Sequence, residues 1–184
     1  LSSEGWGVRV TDATKTEYTS MITTINGKDV TNLCFAYAAC TNLVSTPELS
    51  NKTKDMFGTF AACESLTTVT NLPDSVISLA QTFIHCGELK IVPAIPSSVT
   101  NMKYAFQNCS SLETAPDISK AVNITNMKGT FEACESLTGE IEINANPSEY
   151  EYCFSKTKVT KITGTATNAT KEALAKTGTN ISWE

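Results

Sequence analysis

The residues with the most chemical potential in this 184-residue chain are seven cysteines and a single histidine, His85. Cysteine can cross-link, ligate a metal or act as a nucleophile, and an adjacent histidine could take its proton. The spacing favours none of these. No Cys-x-x-Cys occurs, so a zinc-type ligand set is not expected. His85 and Cys86 are formally a nucleophile–base pair, but neighbours in sequence rarely face each other. Glu140 and Glu142 share one face of an alternating stretch, which is simplest as a solvated face. Gly5-x-Gly7 is not a phosphate-binding loop. The residue types predict no catalytic residue, metal or cofactor, and no enzyme.

The cysteines instead mark a period. Cys40, Cys63, Cys86 and Cys109 stand 23 residues apart, and Cys134 follows after 25. Three residues before them are Tyr37, Phe60, Phe83, Phe106 and Phe131. Three residues after them are Leu43, Leu66, Leu89, Leu112 and Leu137. Four residues before each aromatic is a further apolar residue: Leu33, Met56, Leu79, Met102 and Met127. A sixth unit survives around Tyr150, Phe154 and Val159, with Thr157 in place of the cysteine. Cys34 and Cys153 stand off this column, too far apart in the stack to pair.

A repeat of this length is one supersecondary unit that buries its apolar face only by stacking on its neighbours. The stretch after each leucine is β-friendly and usually ends at a proline, as at Pro47, Pro73, Pro93 and Pro116. A second extended piece spans Val99–Met102 and its equivalents, and the aromatic-x-x-Cys piece reads as a helical or 3₁₀ turn. The predicted fold is an α/β solenoid of about six stacked coils with short parallel strands, like residues stacked on like. The repeat cysteines then form a column of buried thiols; side chains pointing the same way cannot readily reach disulfide geometry.

Units are expected near residues 30–52, 53–75, 76–98, 99–123, 124–146 and 147–163, in a single domain. Residues 1–29 are expected to be an N-terminal cap with a partial opening coil, Met21–Ile25 supplying its strand before the Asn26-Gly27 turn signal. Residues 164–184 are expected to be a C-terminal cap, with a short helix through Lys171–Lys176 capped by Asn168 or Thr170 and stopped by Gly178. Trp6 and Trp183 are each expected to cover one end of the core.

The run Ser98-Val99-Thr100-Asn101-Met102-Lys103-Tyr104-Ala105-Phe106-Gln107-Asn108-Cys109-Ser110-Ser111-Leu112 closely resembles the BspA-like, or Treponema-type, leucine-rich repeat. The resemblance covers roughly residues 30–163. It implies a leucine-rich-repeat solenoid with a strand-lined face, exported to the surface of bacteria on mucosa or in the gut and used in adhesion. The chain departs from the family's alanine before the aromatic, carrying Thr59, Thr82 and Thr130 there.

The net charge of −5 and the absence of Lys/Arg runs argue against nucleic acid as a partner, and no apolar run suits a transmembrane helix. The chain opens at Leu1, as a trimmed or processed product would. The expected function is a non-enzymatic surface binding module whose partner is a protein or glycan on a host or microbial surface; the open alternative is a spacer or recognition domain of a larger secreted polypeptide. The expected location is extracellular or the cell surface, with lipid or wall anchoring through a removed segment. Repeat residues, including Phe154, are expected to build the core. The expected binding positions on the strand face are Ser45, Thr68, Thr70, Thr114, Asp117, Glu140, Glu142, Lys161 and Thr163. No aromatic cluster stands out as a binding platform.

Overall fold

The computed structural model describes residues 24–25 and 28–184, with side chains from Asp29 onward. Trp6 and most of the proposed N-terminal cap lie outside these residues. At the start, β1 (Thr24–Ile25) pairs antiparallel with β2 (Lys28–Asp29) across the predicted turn. Of the Met21–Ile25 stretch, the described residues Thr24 and Ile25 pair antiparallel with Asp29 and Lys28, and the rest lies outside the described residues.

From Val30 the chain winds into stacked coils. One row of parallel bridges links Asn32, Asp55, Ser78, Asn101, Asn126 and Glu149 in turn. A second links Ser45, Thr68 and Ile91. Only towards the end do the bridges lengthen into β3 (Thr138–Glu142) and β4 (Lys158–Thr163), paired in parallel. Strand pairing stays this short because each coil must turn to return over itself.

The core is a set of stacked columns. Tyr37, Phe60, Phe83, Phe106, Phe131 and Phe154 form one aromatic stack with ring centroids 5.2–5.9 Å apart, each ring within 16° of its neighbour's plane. Beside it run the leucines and the cysteines, and all five repeat cysteines are buried and unbridged. Each thiol from Cys63 to Cys134 has its Sγ 3.0–3.1 Å from the carbonyl of the aromatic one coil earlier, to which it donates. Burial drives these thiols upward: Cys63 and Cys134 to about 12, with Cys86 and Cys109 also well above their usual value. A thiolate is poorly solvated there, so burial favours the protonated thiol at Cys63, Cys86, Cys109 and Cys134.

The expected helical or 3₁₀ turns take a different form. Hydrogen bonds of the i→i−3 kind are present, for example Cys63 N–H to the Phe60 carbonyl at 3.2 Å. Two residues per coil nevertheless adopt positive φ, which no right-handed helix tolerates. Two residues before the aromatic these are Phe35, Gly58, Gln81, Tyr104, Gly129 and Tyr152; two residues after it they are Ala39, Ala62, His85, Asn108, Ala133 and Lys156. This alternation turns the N–H of the aromatic and of both flanking positive-φ residues outward to carbonyls of the next coil. Tyr104, Phe106 and Asn108 donate in this way to Lys128, Thr130 and Glu132 at 2.8–2.9 Å.

Side chains finish the turns. Asn32, Asp55, Asn101 and Asn126 each accept from the N–H two residues on, at 2.8–3.0 Å. This Asx turn is the physical reason for the recurrent Asn in Val-Thr-Asn-Leu/Met. Thr59, Thr82 and Thr130, which replace the family's alanine, are fully buried and donate to the Leu33, Met56 and Met102 carbonyls at 2.8–2.9 Å. The departure adds a hydrogen bond between coils. Outside the core, Thr67 and Thr125 hydroxyls donate to the carbonyls of Val44 and Thr100 at 3.1 and 3.2 Å. The abundance of threonine is thus partly an inter-coil fastening.

Two glycines are required by the aromatic of the coil before. A Cβ on Gly129 would lie 2.3 Å from Tyr104 Cδ1, and one on Gly58 would lie 2.4 Å from Phe35 Cε1. Both also hold positive φ. Gly129→Ala is expected to cost about 1–3 kcal/mol, measurable as a lower urea midpoint at unchanged slope. An unchanged midpoint would show that the ring swings away freely.

The C-terminal end is closed by α1 (Asn168–Ala175) and β5 (Ser182–Trp183), the latter parallel to β4. The helix N-cap is Thr167, whose hydroxyl accepts from Thr170 N–H, rather than Asn168 or Thr170. Leu174 and Ala175 join the core. Buried Lys171 donates through Nζ to the Gly164 and Glu184 carbonyls, tying the helix to the last strand. Trp183 continues the inward row Ile141–Ile162 but remains 38% exposed, so it shields the end only in part.

Candidate binding face

The second bridge row sets the geometry of the strand face. Ser45, Thr68 and Ile91 are stacked by direct pairing at equivalent positions, and Thr114 is the same position in the next coil. Ser45 and Thr68 are half-buried and Thr114 is exposed. Ile91 is 61% exposed, the most exposed large apolar side chain among the described residues. It was not among the positions expected from sequence, because an isoleucine after a repeat leucine reads as core. The signal available was the register: two residues after each leucine, the other coils carry Ser45, Thr68 and Thr114.

Farther along the solenoid, Glu140 pairs in register with Lys161, and Lys161 with Ser182. Lys161 Nζ also meets the Glu184 carboxylate, which raises the lysine and lowers the glutamate from their ordinary values. Glu142 lies opposite Thr163 and accepts from Asn144 Nδ2 at 3.0 Å. These four expected positions form one charged end of the face.

Thr70 and Asp117 are committed differently. The Thr70 hydroxyl donates to the Thr46 carbonyl at 2.6 Å. Asp117 accepts from Ser119 N–H at 2.8 Å, and the Ser119 hydroxyl and N–H together hold its carboxyl below the usual carboxylate value. Both side chains stitch the backbone. The face therefore offers a hydroxyl-and-isoleucine stretch in its early coils and a mixed-charge stretch at its late end. It has acceptors, hydroxyl donors and one apolar anchor.

The cysteine–histidine pair separates in space. Cys86 points into the core with no exposure, while His85 is exposed on the turn side. Among the described residues, no cluster of three or more His, Cys, Asp or Glu suits a metal ion. No helix among them is long and apolar enough to cross a membrane.

The chain matches a family model described as a BspA type leucine rich repeat region, with six copies found over residues 28–149 and 56–176. The chain belongs to the BspA-type leucine-rich repeat family. Among solved structures, the T. pallidum leucine-rich repeat protein TpLRR aligns with a TM-score of 0.55 at 19% identity, over 88% of this chain and 85% of that one. A leucine-rich repeat protein from Bacteroides ovatus ATCC 8483 aligns with a TM-score of 0.43 at 23% identity, over 74% of this chain and 47% of that one. The TpLRR likeness supports the leucine-rich-repeat solenoid as the fold. No curated protein sequence matches the chain. In this BspA-type solenoid the repeated aromatic, Cys and Leu columns are the inward ones, so the repeat signature describes the scaffold and leaves the outward row to vary.

Proposed function

We propose that this chain is a non-enzymatic binding module displayed at a bacterial cell surface, recognising a protein or glycan of a host or microbial surface through its strand-lined face. The supporting observation is the contrast between inward and outward positions. The inward columns repeat aromatic, Cys and Leu from coil to coil, whereas the bridged outward row runs Ser45, Thr68, Ile91. An exposed isoleucine framed by hydroxyls is the arrangement of an interface anchor with a polar rim. Solenoids of this kind expose extended surfaces that single coils could not support.

The test is surface-plasmon resonance of the purified chain against immobilised host-matrix proteins and mucins. Saturable binding to at least one is expected, and Ile91→Lys is expected to weaken it about tenfold or more. No saturable binding to any of them would count against the reading. Binding that survives both Ile91→Lys and Thr68→Lys unchanged would remove it from this face.

A further inference from the structure

Phe35, Tyr104 and Tyr152 are equivalent residues of coils one, four and six, all at positive φ of 54–61°. A bulky side chain is unfavourable in this conformation, and glycine serves the same position at Gly58 and Gly129. What the aromatics do is visible in the first two. Phe35 N–H donates to the Phe57 carbonyl at 2.9 Å, and its ring lies against Gly58. Tyr104 N–H donates to the Lys128 carbonyl at 2.8 Å, and its ring lies against Gly129. Twice, then, the molecule clasps the same group: the carbonyl of a residue X on the aromatic's N–H, and the following glycine under the ring.

Tyr152 has the same backbone conformation and is 57% exposed. The C-terminal cap reaches its coil one step away, where Phe154 N–H donates to Thr177 Oγ1 at 3.0 Å and Gly178 approaches Phe154. Among the described residues nothing accepts from Tyr152 N–H, and no glycine underlies its ring.

We infer that Tyr152 is a peptide-binding site for an X–Gly unit of a partner protein, recognised by the backbone N–H and ring that Phe35 and Tyr104 use internally. Glycine is required in the partner for the reason it is required at positions 58 and 129: a Cβ there meets the ring. The carbonyl of X gives a hydrogen bond independent of its side chain, so X is free to be aromatic, as Phe57, or basic, as Lys128. This is backbone-led recognition at the edge of a hydrogen-bonded ladder. The site lies on the turn side and does not depend on the strand face.

A synthetic peptide reproducing residues 126–133, which contains Lys128-Gly129, is the probe, with its Gly129→Ala version as the contrast. Titration into the isotopically labelled chain is expected to shift the Tyr152 amide saturably. Binding is expected to weaken about fivefold or more for the alanine peptide and for protein carrying Tyr152→Gly, about 1 kcal/mol in either case. Glycine suits the backbone at position 152, so that variant keeps the fold while losing the ring. Equal binding of both peptides, or binding unaffected by Tyr152→Gly, overturns the inference. Self-association in analytical ultracentrifugation that Tyr152→Gly abolishes would give the site to a second copy and also overturn it.

Discussion

Phe106→Ala is expected to destabilise the solenoid by about 3–5 kcal/mol, the range for truncating a fully buried phenylalanine. Phe106 has no exposure and stacks on Phe83 at 5.5 Å and on Phe131 at 5.6 Å. A cavity at that point interrupts the aromatic column, and neighbouring coils cannot close it without giving up their bridges and turn hydrogen bonds. Because each coil contacts only its neighbours, the effect should depend on position. Urea unfolding followed by circular dichroism should show a large loss for Phe106→Ala. It should also show broadening, as the halves on either side of the cavity uncouple. A loss below about 1 kcal/mol would mean that the stacked rings fill space without carrying the fold.

Alkaline pH should unfold the protein, and the buried thiols give the direction. Cys63, Cys86, Cys109, Cys134 and Cys153 are all pushed above the ordinary thiol value of 9.0, chiefly by burial. The folded chain keeps these protons when the unfolded chain releases them. Their contribution is therefore fully present below pH 9 and is lost as pH rises towards the folded values, about 12 for Cys63 and Cys134. Each buried thiol adds to the loss above pH 9, so together they are expected to remove several kcal/mol by pH 10. That rivals the whole stability of an ordinary domain. The measurement is the urea midpoint between pH 8 and 10 under reducing conditions. In Cys109→Ala the dependence should be shallower by one thiol's share. A midpoint flat to pH 10, or a slope unchanged in that variant, would show that the thiols reach solvent in the folded state.

Much of the scaffold was legible in the sequence. The period, the six coils and the inward columns follow from residue type and spacing, because a stacked coil offers each position the same surroundings and so demands the same residue. The buried, unbridged thiols followed too, since side chains aligned along one column do not meet at disulfide angles. The candidate strand face was less legible. Thr70 and Asp117 belong to the same polar exterior as Ser45 and Thr68, yet they are spent on the Thr46 carbonyl and on Ser119. A hydroxyl or carboxylate carries no mark of whether its partner is backbone or ligand. Ile91 was missed for the converse reason: its type signals core, and only its register points it outward.

The Phe-x-x-Cys-x-x-Leu spacing by itself determined that this chain stacks into a solenoid of repeated coils, because burial of apolar columns is written in residue type. The three-dimensional arrangement alone decided how the coils turn and what their edges present. Phe35, Gln81 and Tyr104 take positive φ against their own preference, since that backbone directs their N–H groups to the next coil. The Thr59, Thr82 and Thr130 hydroxyls reach carbonyls 26–28 residues away. Tyr104 and Tyr152, distant in sequence and unremarkable as a pair, fall on one column two coils apart. Such contacts depend on the register between coils, which is fixed only when the whole stack closes.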